Sequence, residues 1–137
     1  MKSAIILLFL IVLLESCFTV KSDEHFTYSK FPIDKYYAAL LDSSNYYLID
    51  VRTPAEYRKS HAQGAVNYNF LAFHFGRDVD TLDRHKTAYI YCHTCHRSPF
   101  AAKVMKRKGF ARVYDLKKGF SQWLNAQLPV DTGASHR

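Results

Sequence analysis

The sequence predicts a single α/β domain with a mostly parallel sheet and helices on both faces. Short apolar runs that are typical of buried strands alternate with segments of helical periodicity, which is the pattern of such sheets. The 137 residues are 48% hydrophobic and 15% aromatic, which suffices for one packed core. No repeat or low-complexity tract argues for a different architecture.

The first half of the domain contains two predicted helices and one buried strand. Apolar residues recur at helical spacing from Pro32 to Asp42, and Pro32 suits the start of a helix. After a Ser-Ser-Asn turn, the apolar run from Tyr46 to Val51 predicts a strand buried on both faces. The segment from Pro54 to Lys59 predicts a short helix, with Thr53 as its N-cap.

Predicted strands and helices also alternate in the second half of the domain. The aromatic-rich stretch 70–84 fits either a packed helix or an ordered loop. We then expect a strand over residues 88–91, a helix over 98–108, a strand over 112–116 and a last helix over about 120–126. Ligands of parallel α/β sheets bind beyond the carboxyl ends of the strands, so the segment after residue 91 is a candidate site.

The N-terminus is predicted to be a targeting segment. Lys2 precedes an apolar run, Ala4 to Leu14, which is too short to span a bilayer and suits a signal peptide. Cleavage after Ser22 competes with a lipoprotein-like box in which Cys17 would be lipidated, although Glu15 is unusual there. We therefore expect an exported protein, in the periplasm or anchored as a lipoprotein, that contacts membrane only if Cys17 is lipidated. The predicted division is signal peptide 1–22, linker or edge strand 23–28, domain 29–131 and tail 132–137.

The chain is basic, with a formal net charge of +7. Such charge attracts anions of many kinds. No nucleic-acid recognition motif accompanies it, so we interpret the lysines and arginines of the C-terminal half as solvated helix faces and expect no nucleic-acid partner.

The most informative stretch is Cys-His-Thr-Cys-His-Arg-Ser, residues 92–98, between a predicted strand and a predicted helix. Unpaired N–H groups and the helix dipole favour an anion at a helix start. They favour a thiolate at Cys92, and the thiolate is the form that attacks electrophiles or binds metals.

Three motifs in register resemble those of rhodanese domains. The first is Leu-Ile-Asp-Val-Arg-Thr-Pro-Ala-Glu-Tyr at 48–57 with Ser-His-Ala-Gln-Gly-Ala-Val-Asn at 60–67. The second is the loop at 91–98 followed by two alanines, and the third is the segment 109–116 with Gly119 and Trp123. The resemblance implies a single-domain sulfurtransferase with a five-stranded, mostly parallel sheet.

The resemblance also implies residue roles. Cys92 corresponds to the nucleophile that accepts a sulfane sulfur from a donor such as thiosulfate and passes it as a persulfide to a thiol or cyanide. Arg97 would hold donor oxygens, since a guanidinium suits oxyanions. Asp50 and Arg52 would support the loop, and we expect Glu56 to pair with Arg52. The predicted substrate-binding residues are His93, Thr94, Cys95, His96, Arg97 and Ser98. No metal and no cofactor is expected.

Loop length and three substitutions bear on the activity. Four residues separate Cys92 from Arg97, whereas related phosphatases of this fold have five, which argues against phosphatase or arsenate reductase activity. Lys118 and Ser60 replace family glycines in ways that we expect to be tolerated. Cys95 replaces a glycine inside the loop, where a side chain could strain or bend the backbone.

Cys95 leaves several alternatives open. It could attack a Cys92 persulfide, release sulfide and form a disulfide, which would make the protein a thiol–disulfide redox module. Cys92 to His96 also matches the C-x-x-C-H pattern of c-type haem attachment. Against haem, the resemblance places this pattern in a tight loop with no obvious haem cavity, and Met105 is the only methionine after the predicted signal peptide that could be an axial ligand. Zinc could use both thiolates with His85, His93 or His96. A non-catalytic sulfur-binding module is a further alternative, although such a domain need keep neither Cys92 nor Arg97.

Overall fold

The computed structural model describes residues 20–94 and 96–133. The strands are β1 (Thr27–Phe31), β2 (Tyr46–Asp50), β3 (His61–Ala62), β4 (Val66–Asn67), β5 (Thr87–Tyr91), β6 (Arg112–Leu116) and β7 (Val130–Asp131). The helices are α1 (Ile33–Asp42), α2 (Pro54–Lys59), α3 (Phe75–Val79), α4 (Ser98–Arg107) and α5 (Gly119–Asn125). In this part of the chain, none of the helices combines the length and the apolar character needed to cross a bilayer. The predicted signal peptide and Cys17 lie outside the described residues.

The central sheet has five strands in the order β1-β6-β5-β2-β4, and every neighbouring pair is parallel. This confirms the predicted fold class. The sheet places β5 in the middle, so the segment that follows Tyr91 leaves the sheet at its centre. A separate antiparallel pair, β3 with β7, joins His61 to Asp131. The sequence patterns gave no indication of β7, because two residues are too few to show a period.

Each face of the sheet is covered by helices. On one face, α3 and α4 bury residues such as Phe75, Ala101 and Met105 against β5 and β6. On the other, α1, α2 and α5 bury side chains such as Tyr36 and Trp123. Successive strand residues point to opposite faces, which explains why the central strands are apolar throughout.

The helix α2 has the bounds that the sequence predicts, and the reason is local. The Thr53 side chain accepts a hydrogen bond from the backbone N–H of Glu56, and the Glu56 carboxylate accepts one from the backbone N–H of Thr53. This reciprocal capping box satisfies two N–H groups that would otherwise lack partners. Pro54 occupies the first turn, where no N–H is needed.

Two segments refine the predicted boundaries. The ambiguous stretch 70–84 contains the short helix α3, whose Phe75 and Val79 are buried. The predicted domain start at residue 29 falls inside β1, which begins at Thr27 and pairs with β6 along its whole length. The edge strand is therefore part of the domain.

Candidate active site

Cys92 follows β5 directly and is 1% exposed. Six residues later, Ser98 begins α4 and is fully buried, with its Oγ 3.5 Å from the Cys92 Sγ. The thiol therefore lies where the sequence predicts it, at the carboxyl end of the central strand and beside a helix start. This arrangement gives the sulfur a hydroxyl neighbour and little contact with bulk water.

The first residues of the loop are held by α5. The carbonyl oxygen of Cys92 accepts a hydrogen bond from the Phe120 N–H at 2.7 Å. The carbonyl oxygen of His93 accepts bonds from the Ser121 N–H and hydroxyl, both at 3.2 Å. A Cβ on Gly119 would lie 2.5 Å from the Cys92 carbonyl oxygen, so only glycine allows α5 to approach this closely.

The residue before Gly119 adopts a conformation that usually favours glycine. Lys118 has φ 65 and ψ 7, in the left-handed region, and its side chain is exposed. Lysine stands where the resemblance to rhodanese domains predicts a glycine, and the backbone has the conformation that glycine favours. The substitution is accommodated sterically at the cost of local backbone strain.

Arg97 is paired with Glu56. Its Nη1 and Nη2 each donate a hydrogen bond of 2.7 Å to the two oxygens of that carboxylate. These bonds, together with those from Thr53, lower the Glu56 pKa to about 2, and the same pairing raises the Arg97 pKa. The capping box of α2 thus also orients the predicted anion-binding arginine.

The predicted pairing of Glu56 with Arg52 is wrong. Arg52 instead pairs with Asp50, from Nη2 to Oδ2 at 2.6 Å and from Nε to both carboxylate oxygens. It also donates to the Ser60 carbonyl at 2.7 Å and covers the Phe120 ring at 4.0 Å. Spacing by four residues favours a contact within one helix, but Arg52 precedes α2 and its side chain is directed toward Asp50 and the Phe120 ring.

Asp50 and Arg52 are both buried, which explains why they pair so closely. Asp50 is fully buried and Arg52 is 3% exposed. An unpaired charge in this position would carry a large desolvation cost, so each requires the other. The pair joins the end of β2 to α5 and thereby to the two carbonyls of the Cys92 loop.

The remaining predicted substrate-binding residues lie at the exposed rim. His93, Thr94 and His96 are exposed, and the Thr94 hydroxyl lies 3.1 Å from Nδ1 of His96. Cys95 lies outside the described residues, so the redox, haem and zinc alternatives that depend on it stay predictions. Met105, the methionine of the haem alternative, is fully buried in the core. No set of three or more His, Cys, Asp or Glu side chains is placed to share a metal ion within 20–94 and 96–133.

Sequence reasoning missed Asp115, a fully buried residue of β6. Its Oδ2 accepts a hydrogen bond of 2.8 Å from the Tyr28 hydroxyl, and nearby Ser98 and Tyr28 both lower its pKa. Burial dominates and raises the Asp115 pKa to about 6. The available signal was an acidic residue within the apolar run Val-Tyr-Asp-Leu, at a position that faces a core.

The fold and the site together define a single α/β domain with a buried thiol at the carboxyl end of its central strand and an arginine at the start of the following helix. Arg97 is the residue immediately before α4, and Cys92 is the residue immediately after β5. The thiol and the guanidinium are thus placed at the two ends of one short loop, where a nucleophile and an anion-binding group can act on the same ligand.

The sequence profile described as "Rhodanese-like domain" matches residues 34–126, so the chain belongs to this family. A relative named thiosulfate sulfurtransferase GlpE, from Actinobacillus pleuropneumoniae serotype 5b, is 30% identical over 93 residues, covering 68% of this chain and 84% of the relative. The protein of the same name from Glaesserella parasuis is 27% identical and covers 69% of this chain and 85% of its own.

Solved structures agree on the fold. A rhodanese-related protein from Thermoplasma volcanium superposes with a TM-score of 0.66 at 21% identity, covering 76% of this chain and 98% of that one. The polysulfide-sulfur transferase from Wolinella succinogenes gives 0.63 at 23% identity, covering 79% of this chain and 81% of that one. The predicted family is confirmed, and the chain is a rhodanese-type sulfurtransferase. Its family membership indicates sulfur donors and thiol acceptors in general as its partners.

Proposed function

We propose that this protein moves a sulfane sulfur from thiosulfate, or from a persulfide donor, to a thiol acceptor through a persulfide on Cys92. Cyanide would replace the thiol in an assay. The observation that carries the proposal is the position of the Cys92 sulfur, buried at the end of β5 and 3.5 Å from the Ser98 hydroxyl. The names of the relatives support thiosulfate as the donor.

The first half-reaction begins with the Cys92 thiolate. It attacks the outer sulfur of thiosulfate, a new S–S bond forms to Cys92, and the original S–S bond breaks. Sulfite leaves with the electron pair of the broken bond, and the enzyme keeps a Cys92 persulfide. The Ser98 hydroxyl can donate a hydrogen bond to the anionic sulfur, and such charge-assisted bonds are strong.

The second half-reaction restores the thiolate. An acceptor thiolate attacks the outer sulfur of the Cys92 persulfide and leaves as a new persulfide, while the bonding pair returns to Cys92. With cyanide, the product is thiocyanate. No net oxidant or reductant is consumed in the cycle, because the sulfane sulfur keeps its oxidation level.

Arg97 supplies the positive charge for the donor. A guanidinium has five N–H donors, and Glu56 accepts from two of them, so Arg97 can hold Glu56 and a sulfonate oxygen of thiosulfate at once. The pairing with Glu56 restricts the rotamers of Arg97, which lowers the entropy lost when a donor binds. His93, Thr94 and His96 at the rim would contact the outer part of the donor or the acceptor.

We further propose that this reaction takes place outside the cytoplasm, because the apolar run Ala4 to Leu14 and the competing cleavage and lipidation sites are typical of an exported protein. Fractionation of cells that express the full chain tests this, with fatty-acid labelling of Cys17→Ser as the control for lipidation. Protein that stays unprocessed in the cytoplasm would contradict export.

Mass spectrometry of the intact protein after treatment with thiosulfate tests the transfer step. We expect a gain of one sulfur with release of sulfite, and formation of thiocyanate when cyanide is added. Cys92→Ser should show neither, whereas Cys95→Ser is the matched control and should still gain the sulfur. A sulfur gain that survives in Cys92→Ser, or a loss of two hydrogens without added sulfur, would contradict the proposal; the latter would favour the thiol–disulfide alternative.

A further inference from the structure

Asp115 occupies an unusual place for a carboxyl group. It lies in β6, fully buried, where it is paired in register with Ile90 of the central strand. Residues two apart in a strand share a face, so Asp115 is on the same face as Val113, which packs in the same core cluster as Cys92. The carboxyl group is therefore directed toward the side of the sheet that carries the thiol.

Among the described residues, no cation forms an ion pair with Asp115. Oδ2 accepts a hydrogen bond from the Tyr28 hydroxyl at 2.8 Å, whereas Oδ1 is buried and has no hydrogen-bond partner among the described residues. Lys30 of β1 lowers the Asp115 pKa only weakly, and burial outweighs all other influences, so the pKa is about 6. A buried carboxyl group in such a position changes its charge near neutral pH.

Ser98 connects Asp115 to the site. Its hydroxyl donates to the Cys92 Sγ at 3.5 Å, and Ser98 also lies close enough to Asp115 to lower the pKa of that carboxyl group. A serine hydroxyl has one hydrogen. It can donate that hydrogen to the Cys92 sulfur or to the Asp115 carboxylate, but not to both.

We propose that Asp115 is a positioning residue of the Cys92 site, which controls through Ser98 the hydrogen bond to the sulfur and thereby the pH dependence of thiol reactivity. This inference rests on the proposed function, in which Cys92 is the nucleophile. When Asp115 is ionised, it holds the Ser98 hydrogen, and the Ser98 oxygen faces the sulfur as an acceptor for an S–H group. When Asp115 is neutral, the Ser98 hydroxyl is released to donate to the thiolate or to the persulfide anion.

The neighbouring groups allow Asp115 to act in this way. From β1, Tyr28 donates to the carboxylate and Lys30 adds a weak favourable charge. From α1, Tyr36 stays neutral because burial, together with the Asp115 charge, raises its pKa well above the ordinary value. From α4, Ser98 is the polar neighbour of Asp115 and also contacts Cys92, which follows β5. Among the described residues, none of these groups forms an ion pair that would hold Asp115 permanently charged.

The test is the pH profile of Cys92 alkylation by iodoacetamide. It is followed by mass spectrometry with fragmentation of the peptide that contains both Cys92 and Cys95, so that alkylation of Cys92 is separated from that of Cys95. Asp115→Asn keeps the shape of the side chain and removes its charge. We expect alkylation at neutral pH to become about threefold to tenfold faster, and the acid inflection to disappear. Asp80→Asn, which removes a charge at an exposed ion pair with Lys108, is the matched control and should leave the profile unchanged.

A double-mutant cycle separates action through Ser98 from a general effect of charge. In Ser98→Ala, the additional change Asp115→Asn should lose most of its effect on the rate. An equal effect in both backgrounds, or no effect in either, would overturn the proposal. If Asp115→Asn does not fold, Tyr28→Phe tests the same link: loss of its hydrogen bond should move the acid inflection to higher pH, and an unchanged inflection would overturn the proposal. Alkylation needs no sulfur transfer, so its outcome is independent of whether the Cys92 persulfide forms.

Discussion

Glu56 pairs with Arg97 and Asp115 lies near Ser98, which is the next residue and begins helix α4, and the protein treats the two carboxyl groups differently. Glu56 is about one-third exposed and accepts hydrogen bonds from Arg97 and Thr53, which lower its pKa to about 2. Asp115 is fully buried, has a tyrosine and a serine as polar neighbours, and has a pKa of about 6. One is permanently charged under physiological conditions, and the other titrates.

The difference follows from what each carboxylate stabilises. Glu56 orients the Arg97 guanidinium, the proposed anion-binding group, so its charge must be constant. Asp115 is buried on the face of the sheet that carries the thiol, where a constant negative charge would oppose formation of the Cys92 thiolate. The environment of a carboxylate in this site, rather than its residue type, therefore determines whether it stays charged and holds a partner or titrates near neutral pH.

The largest effect should come from removing the buried charge. Because the Asp115 pKa is raised from 3.8 to about 6, the folded state binds more protons than the unfolded state between these values, and stability falls as the pH rises through this window. Asp115→Asn has no titrating group at this position, so its stability does not fall in this way. Its free energy of unfolding relative to wild type should therefore increase by about 3 kcal/mol from acid to neutral pH. Urea denaturation at several pH values measures it, and a difference that is independent of pH would contradict the assignment.

On the other side of the site, Arg97→Ala should lower kcat/KM for thiosulfate by about a hundredfold, because it removes the donors to the sulfonate oxygens. Arg97→Lys is the matched control, because it keeps the charge and loses the planar pair of N–H donors. Its kcat/KM should lie between the values of the wild type and of Arg97→Ala. Steady-state assays with cyanide as acceptor provide the measurement. Wild-type kinetics in Arg97→Ala would show that the arginine serves only the ion pair with Glu56.

A smaller effect is expected from Glu56→Gln. The Glu56 pKa is lowered from 4.5 to about 2, so its stabilisation is present above pH 4.5 and is lost as the pH falls through about 2. The variant should lose about 1 kcal/mol at neutral pH, since it weakens both the cap of α2 and the Arg97 pair. Thermal unfolding at neutral and acid pH checks this, and the deficit should shrink at acid pH. A deficit that stays constant would mean that the charge of Glu56 is irrelevant.

The smallest effect concerns the helix that holds the loop between the two carboxylates. Lys118→Gly should stabilise the protein by less than about 1 kcal/mol, because glycine adopts φ 65 without strain but is more flexible when unfolded. Gln127→Gly, at φ 53 in the turn after α5, is the matched control, and it should change the free energy of unfolding by a similar amount. Calorimetry measures both, and destabilisation by Lys118→Gly would show that the lysine side chain makes a compensating contact.

The sequence predicted what depends on local patterns. The bounds of α2 follow from Thr53, Pro54 and Glu56 within four residues, and the place of Cys92 follows from an apolar strand before it and a helical segment after it. The contacts that define the site electrostatics are long-range. Arg97 and Glu56 are 41 residues apart, and Tyr28 and Asp115 are 87 apart, so no spacing rule indicates them. They arise only when the parallel sheet brings strand ends together.

In the proposed function, Cys92 carries the transferred sulfur, and its site includes one carboxylate of constant charge, Glu56, and one that titrates, Asp115. The most direct test uses thiosulfate with an isotopically labelled outer sulfur, rapid acid quenching, digestion and fragmentation of the peptide that contains both Cys92 and Cys95. We expect the label on Cys92, and we expect it to leave when cyanide or a thiol is added. Label on Cys95 at the earliest time, or no label on the peptide at all, would contradict it.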